Sequence, residues 1–298
     1  MTEYPPTRVY RTRAKDVRVL SPHFTRVTLT DPSLAHFGTG GLDQRIKLLL
    51  PAADGTLPED IGLFDLPVAE WYPAWRALPG ERRGAMRTYT VRGIRPEAHE
   101  IDVDFVLHGT DGPASAWASA ARPGDELVVL GPDARSARQG GGIEWKPGDA
   151  SAVLLAGDET AAPAICSILE SLEADRTGHA FIEVPHEDDR LPVAAPAGVQ
   201  VTWLPRGDAP HGAPLETAVR AWGADHRGGA GADLPDPDAD ALLWEVPVAA
   251  ADGGLYAWLA GEAGVITGLR RHLVRDLGFD RRSVAFMGYW RRGRSEAN

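Results

Sequence analysis

Between Val153 and Leu172 the chain reads VLLAGDETAAPAICSILESL: a short apolar strand, a break at Gly157-Asp158-Glu159-Thr160, then a helix opened by Ala and Pro. A strand running into a helix N-terminus presents unpaired backbone N–H groups and a positive dipole end, where nucleotide phosphates bind well. The segment therefore points to a dinucleotide-binding α/β unit. As a motif it is thinner than G-x-G-x-x-G, because Gly157 is the only glycine of the turn and Asp158 and Glu159 add negative charge where a pyrophosphate would sit. An ordinary strand-turn-helix satisfies the same pattern, so the rest of the chain has to decide.

Before that segment the apolar spacing is two. Val27 and Leu29 alternate with Thr28 and Thr30, Ile46 and Leu48 flank Lys47, and Ile101, Val103, Phe105 and Leu107 alternate with Asp102, Asp104, Val106 and His108. With the run Leu127–Leu130 and its Gly/Pro turns, this reads as an antiparallel β-barrel. After about residue 145 strands and helices alternate. Strands are expected at 153–156, 180–184, 199–204, 256–260 and 283–287, and helices after Ala161, over 215–222 and over 265–277, which implies an α/β domain with a mostly parallel sheet. The glycines of Arg138-Gln139-Gly140-Gly141-Gly142 mark the joint, dividing the chain into domains 1–142 and 143–298. Residues 223–240, rich in Gly, Asp and Ala, read as an exposed loop or disordered insertion.

The net charge of −11 over 298 residues argues against a nucleic-acid partner and requires a local basic patch for any anion that binds. The single cysteine, Cys166, excludes an internal disulfide and reads as a small buried hydrophobe. No window approaches the roughly 20 apolar residues of a membrane span, and TEYPPTRVYR after Met1 lacks the apolar core of a secretory signal, so a cytoplasmic monomer that does not span the membrane is expected.

Two stretches of the first half carry candidate chemistry. Arg87-Thr88-Tyr89-Thr90 places Arg87 and Tyr89 on one strand face and Thr88 and Thr90 on the other, offering a phosphate fork, a flat stacking surface and a hydroxyl, the set a flavin nucleotide needs. An exposed strand of ordinary composition has the same letters. His108-Gly109-Thr110-Asp111-Gly112-Pro113-Ala114-Ser115-Ala116-Trp117 leaves a strand and enters a short helix whose Ser115 and free N–H groups could take further phosphate oxygens.

These motifs, together with LLAGDETAAPAI, YAWLAGEAGVITGLRRHL and the terminal GYWRRG, occur in the order and spacing that resemble the siderophore-interacting protein family of ferric-siderophore reductases. The resemblance implies an N-terminal FAD-binding barrel and a C-terminal NAD(P)H-binding domain of the ferredoxin-reductase-like type. It implies that Arg87 binds FAD phosphate, that Tyr89 stacks on the isoalloxazine and that Thr90 bonds near its redox-active edge. His108, Ala114, Ser115 and Trp117 would form the second FAD segment. Gly157, Asp158, Glu159, Thr160 and Ala161 would form the nicotinamide-nucleotide turn, joined by Ala260, Gly261 and Glu262, and Tyr289 or Trp290 would lie near the flavin. Lys47 and Arg135 are the candidates for an anionic ferric siderophore.

The expected reaction takes electrons from NADH or NADPH through FAD to a ferric siderophore, releasing Fe(II), with no catalytic acid or base and no resident metal site. Glu187, Asp188 and Asp189 favour a free ribose 2′-OH whereas Arg206 suits a 2′-phosphate, so the choice of nucleotide stays open. Two alternatives stand beside this reading: a flavin reductase serving a protein such as ferredoxin or flavodoxin, and a non-catalytic siderophore-binding protein.

Overall fold

The computed structural model describes residues 3–52, 55–57, 68–109, 112–226, 242–247 and 254–294. It divides into two compact units, Met1–Ile143 and Glu144–Glu296.

The first unit is a closed antiparallel barrel. Its strands are β1 (Thr7–Ser21), β2 (Phe24–Thr30), β3 (Arg45–Leu49), β4 (Met86–Arg95), β5 (Glu100–Val106) and β6 (Glu126–Pro132), in the order β1-β2-β5-β4-β3-β6. Closure depends on the length of β1: residues 7–13 pair with β6 and residues 13–21 with β2, with register shifts between Ala14 and Asp16 and between Val19 and Ser21. Such irregularities bend and twist a strand, which lets it serve both neighbours. Inside, Tyr10, Val27, Leu29, Ile46, Leu48, Val91, Val103, Phe105 and Val129 form one core.

The alternation in β5 does not place its acids in water; all seven residues of EIDVDFV are buried. Asp104 is gripped by Arg26 through two bonds of 2.6 and 2.8 Å, and Asp102 by Arg95 through two of 2.7 Å and by the Thr28 hydroxyl at 2.7 Å. Glu100 takes Arg95 and Lys15. Buried carboxylates survive only with such partners, so the acidic row and its basic cover are one structural layer. Two helices that strand periodicity does not signal, α1 (Val68–Arg76) and α2 (Gly80–Arg83), cover another outer face, where Trp71 and Trp75 pack with Leu49, Met86 and Val128. A third helix, α3 (Pro113–Ala120), follows β5.

The second unit is the expected α/β domain. It comprises β7 (Ala152–Gly157), α4 (Ala162–Ser171), β8 (Thr177–Val184), β9 (Gly198–Pro205), α5 (Ala213–Asp225), β10 (Trp244–Glu245), β11 (Leu255–Glu262), α6 (Ala263–Arg270) and β12 (Val284–Trp290), with α6 continuing as a π-helical segment over Arg271–Asp276. The sheet order is β10-β12-β11-β7-β8-β9, parallel except at β10. Sequence order runs outward from β7 toward β9 on one side and from β11 toward β12 on the other, so the topological switch lies between β7 and β11. Open sheets of this kind bind ligands outside the carboxyl ends of the strands at that switch.

Cys166 is fully buried in α4. One expectation is corrected: Gly223-Ala224-Asp225 do not begin a loop but complete the last turn of α5, because Trp222 is buried and a Cβ at Gly223 would stand 2.5 Å from Leu277. The remainder of the 223–240 segment, from residue 227 on, lies outside the described residues. No helix among the described residues is long and apolar enough to cross a membrane.

Candidate functional site

In the barrel unit the structure brings the two sequence motifs together through one residue. The Tyr89 ring lies 4.6 Å from that of Phe105, which lies 5.5 Å from Trp117 of α3, so Phe105 bridges the Arg87–Thr90 strand and the 108–117 segment. Tyr89 pairs with Ile46 across the β3–β4 ladder and Arg87 with Leu48, which puts both in the phase of the core strand positions. Each is only partly buried, while Thr90 is 6% exposed. Arg87 directs one guanidinium nitrogen to the Met86 carbonyl at 2.8 Å.

Ser115 has a local task. Its hydroxyl donates to the Gly109 carbonyl at 2.6 Å and accepts the His108 N–H at 3.0 Å, closing the loop that leads into α3. Ala114 packs into the barrel core, and the His108 side chain is exposed. Thr110 and Asp111 lie outside the described residues. A Cβ added at Gly109 or Gly112 would meet no atom of the described residues within 4 Å. A guanidinium, a half-covered phenol ring and the N-terminus of α3 fit the phosphates and flat ring of FAD.

The two candidate substrate cations differ. The Lys47 ammonium, on the outer face of β3, donates to Thr88 Oγ1 at 2.5 Å. Arg135 is clamped by the buried Asp133 through bonds of 2.9 and 2.6 Å, and its guanidinium carbon lies 4.1 Å over the Tyr4 ring. Its charge is thus locally matched, and the Asp133 carboxyl, although buried, is held below the usual carboxylate range by that guanidinium. Lys47 stands opposite Leu130, and Arg135 follows five residues later, beyond the end of β6.

In the α/β unit the turn after β7 and the end of β11 meet at the switch: Gly157 pairs with Ala260. A Cβ at Gly157 would stand 2.6 Å from both the Ala161 Cβ and the Ala260 carbonyl oxygen, so glycine is required here by close packing of β7, β11 and α4. The expected row of unpaired amides is not found. The Thr160 N–H bonds to Asp158 Oδ1 at 2.9 Å, the Ala161 and Ala162 N–H groups to the Asp158 carbonyl at 2.9 and 3.1 Å, and residue 163 is proline. Asp158, one residue beyond the strand, closes the helix N-terminus on itself.

Nor do the two carboxylates face outward. Asp158 and Glu159 are each 1% exposed. Asp158 Oδ2 accepts the Glu262 N–H at 2.8 Å and the Trp290 indole N–H at 2.9 Å, fastening β7 to the ends of β11 and β12. Glu159 receives both terminal nitrogens of Arg206 at 3.0 Å, and Arg206 also reaches Glu183 at 3.0 Å. Glu183 in turn accepts the Gly212 and Leu215 N–H groups that open α5. The negative charge that sequence reading placed on the pyrophosphate is therefore internal wiring of the sheet's carboxyl edge.

His211 joins this network without any signal in the sequence. It lies on the loop between β9 and α5, its side chain 6% exposed, with Nε2 3.5 Å from a carboxylate oxygen of both Asp158 and Glu159. The Trp290 ring stands edge-on to it at 5.0 Å. Burial and the neighbouring Glu159 charge push the Asp158 carboxyl up to about 6. Burial would raise Glu159 as well, but His211 and Arg206 outweigh it and pull that carboxyl down to about 2. Burial would lower His211; the paired carboxylates win and raise it.

Glu262 caps α6 by accepting the Gly264 and Val265 N–H groups at 2.7 and 3.0 Å. Gly261, at φ +148°, leaves room for the Asp158 carboxylate, which a Cβ would approach to 2.7 Å. Tyr289 stacks on Trp244 at 6.0 Å and meets Trp258 edge-on at 6.2 Å. Both C-terminal aromatics thus have packing roles within their own unit. Among the described residues no cluster of His, Cys, Asp or Glu has the geometry of a metal site.

Comparison with known proteins bears on the same two units. Residues 13–136 match the siderophore-interacting FAD-binding domain and residues 150–293 the siderophore-interacting protein family. The uncharacterized protein Rv2895c of Mycobacterium tuberculosis is 34% identical over 282 residues, covering 94% of this chain and 89% of its own. Ferric vibriobactin reductase ViuB of Vibrio cholerae is 28% identical over 279 residues, covering 94% and 88%. The crystal structure of the siderophore-interacting protein SipS from Aeromonas hydrophila superposes with a TM-score of 0.69 at 32% identity, covering 98% of this chain and 95% of that one. A ferredoxin NADP+ reductase from Neisseria gonorrhoeae, at 14% identity and a TM-score of 0.59, shares the fold. With two family matches spanning both of its units, the chain belongs to the siderophore-interacting protein family, on a ferredoxin-reductase-like fold.

Proposed function

We propose that the protein is an FAD-dependent oxidoreductase that passes electrons from NADH or NADPH to a ferric siderophore, releasing Fe(II) in the cytoplasm, and that it acts as a monomer. Residues 1–142 form the FAD-binding domain and residues 143–298 the NAD(P)H-binding domain in this reading. The family match across both units supports it, as does ViuB, a relative named for ferric vibriobactin reduction. The observation that carries it is the pairing of Gly157 with Ala260 at the switch of a parallel sheet, in a chain whose other unit carries the Arg87-Thr88-Tyr89-Thr90 strand.

FAD, when bound, couples a two-electron donor to a one-electron acceptor. The chain's own residues orient and bind. Arg87 meets phosphate, Tyr89 presents its ring, Thr90 supplies a hydroxyl, and the loop closed by Ser115 offers the α3 N-terminus to a second phosphate. In the other unit Asp158 fixes the edge on which the nucleotide rests, holding Thr160, Glu262 and Trp290 together. Lys47 attracts an anionic ferric chelate; Arg135, already matched by Asp133, contributes less. Ferric iron suits hard oxygen ligands, and its reduction weakens their hold.

Anaerobic addition of NADH or NADPH to the FAD-loaded protein is expected to bleach the flavin spectrum, and a ferric siderophore to restore it while a ferrous chelator develops colour. Protein that neither retains nor can be reconstituted with FAD refutes the proposal. Bleached protein that reduces ferredoxin or flavodoxin but no ferric siderophore replaces it with the protein-acceptor reading.

A further inference from the structure

The choice between NADH and NADPH is open in the sequence because acids at 187–189 and the cation Arg206 point opposite ways. The structure removes one side of that conflict. Arg206 is bound to Glu159 through two bonds and to Glu183 through a third, all 3.0 Å, with its side chain 15% exposed. Turning it toward a phosphate would strip counter-charge from two carboxylates that are 1% and 0% exposed. A buried carboxylate without its partner is far costlier than one exposed phosphate contact is favourable.

Asp189 is also taken. It is fully buried and its Oδ2 accepts the His186 N–H at 3.1 Å, closing the short turn Glu187–Asp189 that follows β8. Glu187 and Asp188 remain exposed on that turn. Arg190, the nearest cation in sequence, is held by Glu187 at 2.7 Å. The turn follows the strand that neighbours β7, and in sheets of this order an acid at that position receives the ribose hydroxyls and repels a 2′-phosphate.

Resting on the nucleotide reading above, we propose that this chain selects NADH over NADPH, and that Glu187 and Asp188 are the residues that set the choice while Arg206 takes no part. Repulsion of the wrong ligand carries the discrimination, with the Glu187 carboxylate offsetting the charge of Arg190 beside it.

The test is calorimetric titration of the full-length FAD-loaded protein with NAD+ and NADP+, repeated with 5′-AMP and 2′,5′-ADP, beside kcat/KM for NADH and NADPH. The native protein is expected to favour the unphosphorylated member of each pair by at least roughly tenfold. Asp188→Asn moves the ratio toward the phosphorylated ligands, and Glu187→Gln moves it further, because it removes a charge and releases Arg190 as well. Equal or tighter binding of NADP+ and 2′,5′-ADP by the native protein overturns the inference, as does a ratio that neither exposed variant moves. Binding of neither nucleotide, with no bleaching of the flavin, defeats the nucleotide reading itself, a distinguishable result.

Discussion

Replacing Arg206 by Met tests whether this arginine is a structural counter-ion. The substitution keeps much of the side-chain volume and deletes three hydrogen bonds of 3.0 Å. Glu183 keeps the Gly212 and Leu215 amides at 2.8 and 3.1 Å, so its charge stays solvated by the α5 N-terminus. Glu159 is left with His211 at 3.5 Å as its counter-charge, 1% exposed. One buried carboxylate stripped of its arginine costs about 3–5 kcal/mol. At roughly 2–4 °C per kcal/mol for a unit of this size, the melting temperature falls by about 6–20 °C. The sign of the pH dependence is fixed by Glu159, whose folded value of about 2 lies below its ordinary 4.5. Its contribution is complete above the ordinary value and is lost as pH falls toward the folded one. The gap between native and variant is therefore widest near neutrality and narrows below about pH 4.5. Adding Glu159→Gln to Arg206→Met should restore most of the loss. Scanning calorimetry between pH 3 and pH 8 (roughly the range that brackets these values) measures all of this. A single variant that melts within about 2 °C of the native protein at pH 7 would show that the pair contributes little.

Other perturbations probe the remaining joints. Gly157→Ala forces a Cβ to 2.6 Å from the Ala260 carbonyl oxygen, and a loss of about 2 kcal/mol or more is expected in urea unfolding; an unchanged midpoint would contradict the packing described. Asp158→Asn keeps one acceptor oxygen, so it cannot serve both the Thr160 N–H at Oδ1 and the Glu262 and Trp290 N–H groups at Oδ2, which should lower stability by about 1–3 kcal/mol. Because Asp158 titrates near 6 when folded, above its ordinary 3.8, its charge costs stability as pH rises through that interval, and the variant should lack this fall. Ser115→Ala opens the 108–115 loop, costing about 1–2 kcal/mol and weakening FAD retention in spectral titrations; retention equal to native would detach the loop from the cofactor. Lys47→Ala should raise KM for an anionic ferric chelate more than for the nucleotide, and equal effects would remove Lys47 from substrate binding.

The division into a β-barrel and a parallel α/β unit is legible in the chain, because inward residues recur every second position in β2, β3 and β5 and helical spacing intervenes after β7. The motif letters also locate the segments that meet: β4 with α3 and β7 with β11. β1 escapes that reading because its inward positions include Thr12 and Ala14, so its alternation is carried by the outward Arg11, Arg13 and Lys15. What the side chains do was decided elsewhere. Glu159 and Arg206 are 47 residues apart in sequence, yet the roles of Asp158, Glu159 and Arg206 depend on strands β8, β9, β11 and β12 delivering Glu183, His211, Glu262 and Trp290 to the same carboxyl edge. A one-dimensional pattern records which face a residue takes, since that follows from local period. It does not record which charge lies opposite, since pairing across a sheet is set by crossover and register, and only there do the acids of the turn become counter-ions instead of ligands.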